Sequence, residues 1–174
     1  MTYIPPESDI QGWMGDDELK WLYEQALQMD SVVEIGSWKG RSSHALLSGC
    51  SGPVFCVDHF EGSRDERNSN HNEAMQRDIA AEFLKNCGHF PNLVLLRMAS
   101  HEAARRFRSE SIDMIFVDGG HTYEEVLDDL ISWRAICKKL LCGHDANYES
   151  VQKALDDFGI ETEINGNIWR EKPK

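Results

Sequence analysis

The chain has 174 residues, with 30 Asp and Glu against 18 Lys and Arg, a formal net charge of −12 and 41% hydrophobic residues. That is enough apolar material for a buried core, while the acidic balance and the lack of a dense basic cluster count against a nucleic-acid partner, whose phosphates would need Lys and Arg. The longest apolar runs are only a few residues, far short of the roughly 20 that cross a bilayer. The opening Met1-Thr2-Tyr3-Ile4-Pro5-Pro6-Glu7 has neither a basic nor an apolar leader region, so a cytoplasmic protein with no membrane partner is expected.

In chain order, Leu19, Leu22, Tyr23 and Ala26 recur at helical spacing, with Asp16 and Asp17 placed to favour the positive end of that helix. Short apolar runs follow at Val32 to Ile35, Val54 to Val57, Leu93 to Leu96, Ile112 to Val117 and, more weakly, Lys139 to Cys142. Continuous rather than alternating apolarity fits strands covered on both faces. Between them lie helix patterns: one opening after Gly40, one from Asn72 to Asn86 with Met75, Ile79, Phe83 and Leu84, and one whose stripe is Tyr123, Val126, Leu127, Leu130 and Ile131. Thr122 with Glu125 reads as the capping box of that third helix. A last helix runs from Glu149 to Phe158, and Asn165-Gly166 then marks a β-hairpin between Glu161 and Arg170. The fold class is α/β: a mostly parallel sheet with helices on both faces and an antiparallel hairpin at its end.

Five cysteines (Cys50, Cys56, Cys87, Cys137 and Cys142) contain no C-x-x-C pair, which predicts reduced, buried thiols and neither a disulfide framework nor a cysteine-rich zinc site. The polar stretch from His59 to His71 has little to pack. It reads either as a solvated loop or as a lid over a bound substrate.

The segment Glu34-Ile35-Gly36-Ser37-Trp38-Lys39-Gly40-Arg41-Ser42 runs from a buried strand through a glycine-bearing turn into a helix. Such a turn lets backbone approach a ligand and offers helix N–H donors, or it is simply tight. Asp58 lies 22 residues after Gly36, close to the roughly 20-residue spacing at which an acid reaches ribose hydroxyls. The spacing is G-x-x-x-G without a further phosphate-binding glycine, which suggests a nucleoside lacking a pyrophosphate. A buried Glu34 needs compensation. A ligand ammonium, the backbone N–H groups of the turn or an internal Arg or Lys could each supply it.

The Glu34-Ile35-Gly36-x-x-x-Gly40 turn, Asp58, Asp118 after the fourth strand and the terminal hairpin resemble a class I S-adenosylmethionine-dependent methyltransferase. The run Ile112-Asp113-Met114-Ile115-Phe116-Val117-Asp118-Gly119-Gly120-His121-Thr122-Tyr123 and the later Gly143-His144-Asp145 are similar to the small-molecule O-methyltransferase-like branch. The resemblance spans roughly Val32 to Arg170 and implies a Rossmann-like, seven-stranded sheet in a single domain, with residues 1–30 as arm and helix and 31–174 as the cofactor-binding core. It implies that Glu34, Gly36, Ser37, Gly40 and Ser42 shape the amino-acid end of the cofactor pocket, that Asp58 and His59 lie by the ribose, Ala99 and Ser100 by the adenine, and Asp118 by the methyl-donor end. It further implies His121 or His144 as base for a small hydroxylated acceptor, and a Mg2+ ion held by Asp118 and Asp145. His144-Asp145 stands where metal-dependent relatives carry Asp-Asn. Two other readings stay open: a catalytically silent module that binds the cofactor, and a nucleotide- or NAD-dependent Rossmann-like oxidoreductase. A core this small commonly takes missing pocket walls from a second subunit, which makes a homodimer the expected assembly.

Overall fold

The structure, a computed structural model, describes Ile4, residues 9–63 and residues 70–173. Its elements in order are α1 (Asp16–Ala26), β1 (Val32–Ile35), α2 (Arg41–Gly49), β2 (Val54–Asp58), α3 (Asn70–Gln76), α4 (Ile79–Cys87), β3 (Leu93–Arg97), α5 (Ser100–Ala104), β4 (Ile112–Val117), α6 (Tyr123–Trp133), β5 (Cys137–Gly143), α7 (Glu149–Phe158), β6 (Thr162–Asn165) and β7 (Ile168–Glu171). The seven strands form one sheet in the order β3-β2-β1-β4-β5-β7-β6. The first five are parallel; β7 runs antiparallel to β5, and β6 to β7. The expected Rossmann-like α/β architecture with its terminal hairpin is therefore present.

Alternate residues of each central strand feed two cores. On one face Val32, Val54, Met114 and Phe116 meet Leu19 and Leu22 of α1, Leu46 of α2 and Ile79 and Phe83 of α4. On the other, Val33, Ile35, Ile115 and Val117 meet Val126, Leu130 and Trp133 of α6 and Val151 and Leu155 of α7. Both faces are covered, which is why the strands read as unbroken apolar runs. No described helix is long and apolar enough to cross a membrane, and all five cysteines are buried thiols.

Two expectations need correction. The helix read from Asn72 to Asn86 is two helices, because Asp78 leaves the helical path and its side chain accepts from Ala81 N as the cap of α4. Met75, placed in that helix's stripe, is 74% exposed, and Ile131 of α6 is 61% exposed, so the buried stripe of α6 narrows to Val126, Leu130 and Trp133. Of the stretch from His59 to His71 read as a loop or lid, residues 64–69 lie outside the described residues, and its last two residues begin α3 instead. Strand order reverses between β1 and β4, the position at which open α/β sheets bind ligands beyond the carboxyl ends of their strands.

Candidate active site

The turns that leave β1, β2, β3, β4 and β5 converge on a cleft of about 460 Å³ at this switch point. Gly36 holds its centre. Its φ is +88° and a Cβ there would lie 2.0 Å from the Asp118 carbonyl oxygen, so only glycine lets the turn after β1 touch the turn after β4. Gly36 N donates to Val57 O at 2.9 Å and Asp118 N to Ile35 O at 2.8 Å, fastening three strand ends together.

Glu34 lies beneath this turn, fully buried and outside the cleft lining. The hydroxyls of Ser37 (2.7 Å), Ser42 (2.5 Å) and Ser43 all donate to its carboxylate. Burial raises its pKa against the lowering effect of these hydroxyls. The compensation is thus three serines, a solution that was not among the sequence alternatives although all three stand within nine residues of the acid. Gly40 caps α2 and also sits behind the cleft, where a Cβ would meet Cys87 Sγ at 2.5 Å. Ser37 and Ser42 reach the lining.

Asp58 ends β2. Its carboxylate accepts from Trp38 N at 2.7 Å and Phe60 N at 2.6 Å, and both of those residues have positive φ, 45° and 62°. The acid therefore braces two strained turns while lining the cleft. Burial raises its pKa, and the two N–H donors oppose the shift. His59 lines the same stretch, its Nδ1 accepting from Glu61 N at 3.0 Å.

Ala99 and Ser100 open α5 and line the far end of the cleft. Ser100 Oγ accepts from Trp133 Nε1 at 2.8 Å and donates to Asp129 Oδ1. Asp129, on α6, was not singled out by sequence; among the acids of an amphipathic helix nothing marks it. Its side chain nevertheless turns inward to the cleft, and burial pushes its pKa up to about 7, with Glu125 and Asp128 adding to the rise and Ser100 opposing it.

At the other end Asp118, His144 and Asp145 each offer one ligand atom within 4.8 Å of the others. His144 Nδ1 lies 3.2 Å from Asp145 Oδ1 and 3.6 Å from Asp118 Oδ1, and its buried Nε2 lies 3.4 Å from Glu18 Oε1 without an aligned hydrogen bond. Burial works against a charged imidazole, but the hydrogen bond to Asp145 and the charges of Asp118, Asp145 and Glu18 outweigh it, raising His144 to about 9. Burial also drives Asp118 well above the usual carboxylate range; His144 opposes that shift, and Asp145, Glu34 and Glu18 reinforce it. The cluster thus contains its own countercharge. His121 lines the cleft beside it, its ring stacked on Tyr148 with centroids 4.4 Å apart, and Ser150 Oγ donates to its carbonyl at 2.6 Å.

The front wall is the arm before α1, with Gln11, Gly12, Trp13 and Met14 in the lining; the family resemblance also allows this segment to lie over the cofactor, although the residues alone favour a packing role for Met14. Arg41 Nε donates to Met14 O at 2.8 Å, and its Nη1 to Asp9 Oδ1 at 2.6 Å and Ile10 O at 2.9 Å. Lys39, only 3% exposed, donates to Gln11 Oε1 at 2.6 Å and Glu73 Oε1 at 2.5 Å and lies 3.5 Å from Glu82 Oε2. Trp13, 59% exposed, faces Trp38 with ring centroids 6.4 Å apart. Met14 is both core and lining.

A family model described as a methyltransferase domain matches residues 33–145. Among solved structures, the chain is similar to an O-methyltransferase from Bacillus cereus in complex with S-adenosylhomocysteine (14% identity, 97% of this chain and 84% of that one, TM-score 0.63). It is also similar to a methyltransferase from Geobacter sulfurreducens (20%, 92% and 81%, 0.62) and to an S-adenosylhomocysteine-bound methyltransferase from Podospora anserina (12%, 93% and 80%, 0.61). With the matched segment carrying the Gly36 turn, Asp58, Asp118 and Asp145, the chain belongs to the methyltransferase domain family, the class I S-adenosylmethionine-dependent enzymes that its turns resemble.

Proposed function

We propose that the chain transfers a methyl group from S-adenosylmethionine to a small-molecule acceptor at a hydroxyl. The observation that carries this reading is that one cleft holds the Gly36 turn and Asp58 at its middle and the Asp118, His121, His144 and Asp145 group at one end. Its volume suits one small ligand with an acceptor beside it. The residues fit the cofactor: Asp58 offers carboxylate lone pairs to ribose hydroxyls, and Gly119 leaves open a space that a Cβ would enter, 3.5 Å from Asp129 Oδ2 and Ile35 Cγ2. S-adenosylmethionine, when bound, supplies an activated methyl on a sulfonium.

The chain's own residues then align the acceptor and take its proton. His121 is the better base, since its ring lines the cleft on a stacked support, whereas His144 at about 9 keeps its proton near neutral pH. The acidic balance of the chain favours a small acceptor over an RNA.

Asp118, His144 and Asp145 also fit a divalent cation. Nδ1 of His144 faces the two carboxylates, and Glu18 Oε1 lies 3.4 Å from Nε2 on the opposite side of the ring. Two carboxylates suit Mg2+, and the imidazole adds a donor better matched to Mn2+ or a similar ion. Such an ion would bind acceptor oxygens and acidify the hydroxyl.

The test is transfer of labelled methyl groups from S-adenosylmethionine to a panel of hydroxylated small molecules, with and without EDTA. Incorporation is expected, falling on the order of 10²- to 10⁴-fold in His121→Ala. Cofactor binding without transfer to any acceptor would leave a silent binding module, and full activity in excess EDTA would remove the cation.

A further inference from the structure

The turn that leaves β5 is held from the far end of the chain. Asp145 has a φ of +59°, a left-handed backbone that strains a residue with a side chain unless its surroundings hold it there. The ladder between β5 and β7 ends at Gly143 opposite Trp169, and the same register carried two residues further sets Asn167 opposite Asp145. At that point the strand has turned away, and Asn167 takes up both N–H groups that follow the strained residue. Ala146 N donates to its carbonyl oxygen at 3.0 Å, and Asn147 N to its side-chain Oδ1 at 3.0 Å. Tyr148 N then closes the turn on Asp145 O at 2.9 Å. Asn167 is itself fixed: its own N–H donates to Glu18 Oε1 at 3.1 Å, and Gly15 N donates to Glu18 Oε2 at 2.9 Å. The same Glu18 Oε1 lies 3.4 Å from His144 Nε2, so the hairpin, the start of α1 and the β5 turn meet at one place.

Resting on the reading above, in which Asp118, His121, His144 and Asp145 handle the acceptor, we propose that Asn167 is a positioning residue for methyl transfer. By accepting from two successive N–H groups it holds Asp145 in its left-handed backbone. That keeps the Asp145 carboxylate 3.2 Å from His144 Nδ1, at the end of the cleft where both residues line the wall. Asparagine suits the task for a geometric reason. Its carboxamide carries a carbonyl oxygen close to its own main chain, so one residue presents two acceptors to adjacent donors. Alanine would leave the Asn147 N–H to water and free the turn to relax toward backbone angles that Asp145 adopts without strain. A displacement of about 1 Å at a reacting group costs on the order of 100-fold in rate, so the effect of Asn167 on turnover runs through Asp145 and its neighbour His144.

The experiment measures methyl transfer, S-adenosylhomocysteine binding and amide exchange in the full chain as wild type, Asn167→Ala and Asn167→Asp. In Asn167→Ala, kcat is expected to fall roughly 10- to 100-fold with the affinity for S-adenosylhomocysteine unchanged, and exchange is expected to accelerate at Asn147 and Ala146 but not across the sheet. Asn167→Asp keeps an oxygen for the Asn147 N–H and is expected to recover most of the rate. A wild-type kcat in Asn167→Ala, an aspartate variant as slow as the alanine one, or acceleration spread through every strand would overturn the positioning role and leave the methyl-transfer reading standing. Absence of transfer from the wild type to any acceptor would overturn that reading; the hold on Asp145 is then decided by exchange alone, and unchanged exchange at Asn147 in Asn167→Ala overturns it. Should Asn167→Ala not fold, the wild type decides. Asn147 is an exposed residue, yet its amide is expected to exchange at least about tenfold more slowly than an unstructured one, and exchange at the unstructured rate overturns the contact.

Discussion

Gly36 and Asp118 are in backbone contact: a Cβ on the first would stand 2.0 Å from the carbonyl oxygen of the second. The cleft exists because these two turns, from strands far apart in sequence, can close to that distance. Gly36→Ala combines a side chain at positive φ with a clash against main chain that cannot yield without moving β4. A loss of roughly 3 kcal/mol or more is expected, read as a lowered urea midpoint.

His144 makes the stability of the cation-free protein depend on pH. Its folded pKa of about 9 stands above the ordinary 6.5, so the native state binds its proton more tightly than the unfolded chain does. The stabilisation is complete below about 6.5 and is lost as pH rises through 9, a fall of roughly 3 kcal/mol. Urea midpoints at pH 6 and pH 10 should show that fall in wild type and a flatter dependence in His144→Gln. Equal dependence in the two proteins would contradict the burial of a charged imidazole among Glu18, Asp118 and Asp145.

The same proton predicts what a divalent cation does on binding. If Nδ1 of His144 is a ligand beside Asp118 and Asp145, it must give up its proton, and binding near neutral pH releases that proton together with any held by the raised Asp118 carboxyl. Titration with Mn2+ in two buffers of different ionisation enthalpy measures this. Cation binding without proton release would place the ion on the carboxylates alone.

Lys39 joins the arm to α3 and α4 through Gln11, Glu73 and Glu82. Lys39→Met removes the buried cation that ties Gln11 to Glu73 and Glu82 but leaves both carboxylates paired with Arg77, at 3.0 and 2.8 Å, so a loss of about 1 to 3 kcal/mol is expected. Amide exchange of residues 9–14 should accelerate in the same variant. Unchanged exchange would assign the hold on the arm to Arg41.

Much of this architecture is written locally. The five parallel strands are apolar runs, Asn165-Gly166 marks the hairpin, and Thr122 with Glu125 forms the capping box that its spacing predicts. The break between α3 and α4 was obscured because Met75, Ile79 and Phe83 keep a four-residue rhythm straight through Asp78. Among site residues, Gly36, Asp58, Asp118, His121, His144 and Asp145 stand in recognisable turns after strands, and the structure brings them to one cleft. The parts that escaped are pairings over long sequence distances: Lys39 with Glu73, Glu18 with His144, Ser100 with Asp129. A lysine in a turn or an acid on a helix face carries no local signal of the partner that will bury it.

The central claim is that this cleft takes S-adenosylmethionine, and titration calorimetry with S-adenosylhomocysteine and with NAD⁺ tests it most directly. The account predicts one S-adenosylhomocysteine per chain with an affinity on the order of micromolar, weakened roughly 10- to 100-fold in Asp58→Ala, and no heat from NAD⁺. Tight NAD⁺ binding, or silence with S-adenosylhomocysteine, would contradict it.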